Sequence, residues 1–262
     1  MIELFYTVLY QPLLNALIFI YNYLPYHDLG LAIIILTIII KIVLFWPSLS
    51  AIKSQKALQD TQPALEELKR KYKNDKEEMG RQLMKFYKDN KVNPFSSCLP
   101  LLIQLPILLA LYQVFFSGLK LDAATGLLMP DQINYLYGYL QDIYRITPLN
   151  TMFLGFVDMA KNHNIILALL TGIAQFFQTK TLSTLKPPIK SKGAKDENMM
   201  VMMNKQMLYL MPLMTIYFGY TFPAGLSLYW LTNTLFTLVQ QLIFFRYKKK
   251  IDLKDAAKPK TA

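Results

Sequence analysis

Few residues in this chain could do chemistry inside an apolar environment. In the stretch LGLAIIILTIIIKIVLFWPSL, residues 29–49, Lys41 is the only ionisable group between Asp28 and Lys53. A charged residue at the centre of a membrane-spanning helix costs about 2.5–3.5 kcal/mol on insertion scales, so it usually faces a watery cavity or a partner. The chemistry available to such a group is electrostatic: a fixed cation that attracts a passing carboxylate. A second reading stands beside it. Lys41 lies five residues before Trp46, and its long side chain could snorkel to the interface that a tryptophan marks.

Other apolar segments carry polar residues at helical spacing. Thr37, Lys41 and Ser48 share one face, as do Thr171, Gln175 and Gln178. Trp230, Asn233, Thr237 and Gln240 form a third stripe, and Ser97 and Gln104 lie seven apart. Each alone is more often an interhelical hydrogen-bond partner, and Trp230 could equally anchor an interface or pack. Together with the lysine they argue for a hydrated groove lined by Lys41, Thr37, Gln104, Gln175, Gln178, Trp230, Asn233 and Thr237. No HExxH, GxSxG or paired carboxylate occurs within an apolar stretch, so no catalytic set and no enzyme is expected. A single cysteine, Cys98, and two distant histidines, His27 and His163, give no metal pattern, and no cofactor is expected.

The elements that must hold these residues are helices. A chain of 262 residues that is 53% hydrophobic, with positive mean hydropathy, is too apolar for an ordinary soluble domain and suits a polytopic membrane protein. The N-terminal segment, 1–28, is apolar but interrupted by Gln11, Pro12, Asn15 and Asn22 and rich in tyrosine. It reads as a helix lying on the outer membrane surface and a turn, with a full span as the alternative. No basic n-region precedes it and no small-residue cleavage site follows, so no classical signal peptide is expected.

The first span is 29–49. Residues 50–93 mix eleven Lys/Arg with seven acids, while Leu58, Leu65, Leu68 and Tyr72, then Met79, Leu83 and Phe86, repeat at helical spacing. They predict a helical hairpin broken at Asn74–Asp75, against the alternative of a solvated charged loop. A second span, 94–117, contains Pro94, Pro100 and Pro106, whose missing donors free carbonyls and bend the axis. There follow an external loop 118–163, a third span 164–181, a polar loop 182–205 with Pro187–Pro188, a fourth span 206–222, a fifth at 223–245 entered through FPAG, and a basic tail 246–262. That tail is expected to be disordered beyond its first turns. Methionines at 199, 200, 202, 203, 207, 211 and 214 suit either a lipid-facing surface or a pliable apolar contact.

Charge sets the orientation. The hairpin, the second loop and the tail hold nearly all the cations, whereas 118–163 holds Lys120, Arg145 and Lys161. The positive-inside bias places the N-terminus outside and the C-terminus in the cytoplasm. That bias accounts for the net charge of +11, which would also attract anionic lipid or ribosomal RNA; DNA is not an expected partner. The predicted fold is therefore an all-α membrane protein with five transmembrane helices around a hydrophilic groove, a cytoplasmic helical hairpin and an N-terminal interfacial helix. A transporter or channel could use the same groove, but it would be expected to show internal repeats, and none is evident among the spans.

Four blocks, taken in order, resemble the YidC/Oxa/Alb family of membrane protein insertases: GLAIIILTIIIKIVLFWPSLSAIKSQKALQDTQPALEELKRKY, NPFSSCLPLLIQLPILLALY, FLGFVDMAKNHNIILALLTGIAQFFQTK and FPAGLSLYWLTNTLFTLVQQ. The resemblance implies a groove open to cytoplasm and lipid, closed outside, in a bacterial plasma membrane. It also implies a positive groove residue that matches Lys41, where bacterial members usually carry arginine. Lysine keeps the charge and loses the bidentate fork. Gln178 and Trp230 match other groove-lining positions. Nascent membrane proteins are the implied clients, inserted or folded, with a ribosome held by the basic tail and the Sec translocon as candidate partners. Members from Gram-negative bacteria carry a further N-terminal span and a large periplasmic domain, for which this chain has no matching segment.

Overall fold

The computed structural model describes residues 2–93, 99–182 and 195–256. The expected start of the second span at 94–98, with Ser97 and Cys98, the 183–194 part of the second polar loop and the tail end at 257–262 lie outside the described residues.

The chain is mostly helical. It opens with α1 (Ile2–Phe5) and α2 (Gln11–Tyr23), joined through a π-helical turn at Tyr6–Tyr10, so that Glu3–Tyr23 runs as one helix. After a turn in which Tyr26 and His27 take positive φ, α3 spans Leu29–Val43, capped by the Asp28 carboxylate, which accepts from the Leu31 N–H at 2.9 Å. The chain then bends by 69° into α4, Phe45–Lys71. This corrects the expectation of one unbroken helix over 29–49. Pro47 is the cause that the local sequence offers: it has no N–H for the Val43 carbonyl, and its ring crowds that oxygen, so the ladder cannot run straight through Leu44. Lys41 accordingly sits in the last turn of α3, not in the middle of a long helix.

Helix α5, Lys76–Asp89, begins at an Asp75 cap (Oδ1 to Glu78 N–H, 2.9 Å) and packs back on α4. The seam between them is thin: Leu65 is buried, while Leu58, Leu68, Met79, Leu83 and Phe86 are only half-buried. Helix α6, Leu99–Gln113, continues through a π-helical turn at Val114–Gly118. The connection from 119 to 163 contains α7 (Pro130–Ile133), α8 (Gly138–Tyr144) and a two-stranded antiparallel ribbon, β1 (Met152–Phe153) and β2 (Val157–Asp158), with Met152 opposite Asp158.

Three long helices complete the chain: α9 (Ile165–Leu182), α10 (Lys195–Thr221) and α11 (Ala224–Ala256). Two expected loops are thereby corrected. Residues 195–205 and 246–256 are helical, α10 and α11 continuing past the point where the apolar runs end.

The packed core lies at one end, where Tyr10, Leu14, Ile18 and Tyr21 meet Leu29 and Ile33 of α3, Val114 and Phe115 after α6, and Leu140, Tyr144 and Met159 of the connection. Its neighbours in space are fixed by polar anchors. Asn15 donates to the Tyr135 carbonyl (2.8 Å) and accepts from the Tyr137 N–H (2.6 Å), and the Tyr21 hydroxyl accepts from the Asn150 N–H (2.8 Å). Asn15, one of the polar interruptions of the first segment, is thus a tie to the connection.

The helix exteriors are apolar: Ile42 and Val43, Trp46, Leu102, Ile166, Ile173, Leu213 and Ile243 are each more than half exposed. An apolar exterior of that extent is the surface of a membrane protein, with lipid in contact where a soluble fold has water. By length and composition, one described helix, Glu3–Tyr23, could cross a bilayer alone; the bent pair α3 and α4 could supply a second crossing if it acts as one broken span.

Candidate functional site

Helix α11 is the hub. It contacts α3, α9 and α10, and each polar stripe finds a partner on it. The Lys41 ammonium donates to the Thr237 hydroxyl at 2.7 Å and lies 5.8 Å from the centre of the Phe236 ring. Thr237 spends its own proton on the Asn233 carbonyl one turn back (2.8 Å), which leaves a lone pair facing the cation. Lys41 is only 8% exposed and forms no salt bridge among the described residues. Its ammonium turns to α11 and not to solvent, while Trp46 is 75% exposed.

Beyond the cation, Gln240 spans the bend: its amide oxygen accepts from Ser48 (2.9 Å) and its amide nitrogen reaches the Phe45 carbonyl (3.4 Å). On α6, Gln104 donates to the Tyr229 hydroxyl. Helix α9 joins α11 through Thr181 to the Gln241 amide oxygen (2.8 Å) and Thr171 to the Ser227 carbonyl (3.3 Å).

Of the eight residues singled out from the sequence, three are joined to one another and five are not. Lys41, Thr237 and Asn233 form one connected set, through the bonds just described. Gln104 reaches α11, but at Tyr229. Thr37 and Gln175 turn toward their own helices: Thr37 is buried and donates to the Ile33 carbonyl (2.6 Å), and Gln175 faces Thr179 (3.4 Å), while at Gln178 it is the backbone carbonyl that accepts from Thr181 (2.6 Å). Trp230 is half-buried. So are Gln104, Gln175, Gln178, Asn233 and Thr237, which leaves each partly accessible.

Tyr229 and Gln241 are the partners that the sequence reading missed. Both lie on the row Tyr229, Asn233, Thr237, Gln241, spaced by fours, adjacent to the row that runs through Trp230 and Gln240. The stripe Trp230, Asn233, Thr237, Gln240 already contains the step of four from Asn233 to Thr237; extending that step in both directions reaches them.

Chemically, this is a site of one cation and several neutral donors and acceptors, with no metal-ligand cluster of three or more among the described residues. It can attract and orient a carboxylate and hold water in hydrogen bonds.

A helical membrane protein with a buried cation against a polar-faced hub helix is the class that these features define. Residues 19–251 match the family described as 60Kd inner membrane protein, and the chain belongs to that family. It is 35% identical over 245 residues to the membrane protein insertase YidC of Fusobacterium nucleatum, covering 93% of this chain and 98% of the relative. To the membrane protein insertase YidC of Geotalea daltonii it is 34% identical over 236 residues, 90% of this chain and 37% of the relative, so the chain spans a little over a third of that longer protein. A solved structure described as an active YidC insertase with its first transmembrane domain resolved superposes with a TM-score of 0.52 at 25% identity, over 88% of this chain and 45% of the other.

Proposed function

We propose that this chain is a membrane protein insertase of the bacterial cell membrane, with five spans around a hydrated groove. In this reading α3, α6, α9, α10 and α11 supply the spans, Glu3–Tyr23 lies on the outer surface, and the hairpin of α4 and α5 faces the cytoplasm with the C-terminus. The relatives named as insertases support the activity. The carrying observation is the Lys41 ammonium, held by a neutral hydroxyl and without a salt bridge among the described residues.

A client with a short apolar segment and an acidic tail enters from the hairpin side. Its carboxylate displaces the hydroxyl of Thr237 from Lys41. At an effective dielectric of about 20, a carboxylate about 4 Å from the ammonium gains about 4 kcal/mol before desolvation is subtracted. That biases entry without trapping the tail. Gln104, Gln175, Gln178, Trp230 and Asn233 keep water in the groove and lower the barrier for polar groups. The apolar part of the client then moves into lipid, and its burial drives the step. The basic tail holds a translating ribosome nearby, and the Sec translocon is a candidate neighbour.

The test is insertion of a single-span protein with an acidic tail into liposomes containing the purified chain. Lys41→Ala is expected to lower insertion by about tenfold, the equivalent of losing roughly 1.4 kcal/mol of attraction, while Lys41→Arg retains it. Equal insertion by the alanine variant would remove the charge-attraction step. Cysteines placed at 178 and 230 should crosslink to a stalled nascent chain.

A further inference from the structure

The bend between α3 and α4 leaves an apolar cavity of about 290 Å³ against α11, beside Phe236 and Gln240. Phe45 and Leu49 form one wall; Phe236, Val239, Ile243 and Tyr247 form the other. The wall it presents is carbon throughout, and it opens to the exterior, where Val239, Ile243 and Tyr247 are each more than half exposed.

At its far end the same two helices turn basic. Lys53 follows Leu49 by one turn of α4, and Arg246 follows Ile243 by three residues on α11; both are exposed, and neither forms a salt bridge among the described residues. Lys56 beyond them is engaged with Asp60 (2.7 Å) and the Phe245 ring (5.7 Å). An apolar slot ending at two free cations is complementary to a molecule with a hydrocarbon chain and an anionic head.

We propose that this cavity is a binding site for an anionic glycerophospholipid of the cytoplasmic leaflet, with one acyl chain between Phe45, Leu49 and Val239 and its phosphate between Lys53 and Arg246. A client helix does not fit. With its side chains an α-helix is about 10–12 Å across, so a single turn would overfill the slot, whereas one acyl chain occupies it lengthwise. The Phe236 ring is shared with Lys41, so the bound chain braces the wall on which the cation rests. The inference rests on the proposed cytoplasmic orientation of α4, not on insertion activity.

The full chain, reconstituted in phosphatidylcholine vesicles, is irradiated with a trace of phosphatidylglycerol or phosphatidylcholine carrying a photoreactive acyl chain, and labelled residues are mapped. The phosphatidylglycerol probe should label residues 45–49 and 236–247 roughly tenfold more than the zwitterionic probe, the order of preference that two interfacial cations supply. A Lys53→Gln/Arg246→Gln variant should equalise the two probes. Val239→Trp, at a position outside the packed core, should remove labelling of the slot and leave labelling of Leu213 and Ile173 unchanged, which also reports that the variant has folded. Equal labelling by both probes in the parent chain, unchanged labelling in Val239→Trp, or labelling of the slot by an apolar client peptide that excludes the lipid would each overturn the proposal. Protease access to the 50–93 hairpin in the same vesicles reads the orientation separately.

Discussion

The two ends of the helix bundle are held together by different kinds of contact. At the end capped by the 119–163 connection, buried side chains grip backbone groups. Asp28 accepts from Leu31 N–H and from Leu154 N–H (2.6 Å), Asn15 is used twice, and the FPAG turn is tied to the connection by Ala224 N–H to the Lys161 carbonyl (2.8 Å) and Gly225 N–H to the Met159 carbonyl (2.9 Å). At the end near the bend, side chains meet side chains: Lys41 with Thr237, Ser48 with Gln240, Thr181 with Gln241. A buried backbone donor has no cheap substitute for its partner. Lys41, Gln240 and Gln241 are themselves buried, but Thr237, Ser48 and Thr181 are half-buried, and a hydroxyl there can exchange its partner for water or for a client at small net cost. One end thus holds more rigidly than the other, the asymmetry that the proposed groove, entered from one side, would require.

The largest effects should come from breaking the closed end. Asp28→Ala removes a helix cap and strands the Leu154 N–H, for an expected loss of about 2–4 kcal/mol. Thermal unfolding in detergent would read it, and Asp28→Asn, which keeps one acceptor, should fall between. Gly30→Ala comes next. A Cβ at Gly30 would run into the Phe153 ring down to its own Cβ, so the ribbon must shift, at about 1–3 kcal/mol. A melting temperature unchanged in both variants would mean that the connection is a loose cover and that the two ends do not differ in rigidity.

Much of the end near the bend was legible in the sequence because its residues repeat on helices. A lone lysine in an apolar run, and polar residues at threes and fours, survive as a periodic trace. The closed end left no such trace. Asn15 and Tyr135, or Asp28 and Leu154, are more than a hundred residues apart, and Asn15 read alone suggested an interface. Pro47 was visible, but five apolar residues before it masked the break at Leu44. The helical stretches at 195–205 and 246–256 were hidden by charge, since hydropathy marks where lipid ends and says little about where a helix does.

Smaller effects should follow at the yielding end, and there stability and activity should separate. Gln240→Leu loses the Ser48 bond and the reach to the Phe45 carbonyl, both at the bend, and should cost about 1 kcal/mol. Thr237→Val keeps shape but leaves the Lys41 ammonium without its hydroxyl. Stability should fall by about 1–2 kcal/mol, with a larger proportional change in the insertion of acidic-tailed clients than of neutral-tailed ones. A drop shared equally by both clients would make Thr237 a packing residue only.

The smallest effect belongs to the hairpin, which leaves the bundle at the bend. Arg81 approaches Glu77 (3.6 Å) and Glu78 (3.3 Å) on one exposed face of α5, with 70% of its side chain in water. Exposed pairs of this kind contribute about 0.2–1 kcal/mol and are screened by salt. Arg81→Ala should therefore leave the melting temperature of the whole chain within error at physiological ionic strength, because α5 has no fully buried residue through which to pass strain to α4. If the substitution instead lowers that temperature by several degrees, the hairpin is coupled to the bundle through more than its thin seam, and the division into a fixed end and a yielding end would have to include a third, cooperative part.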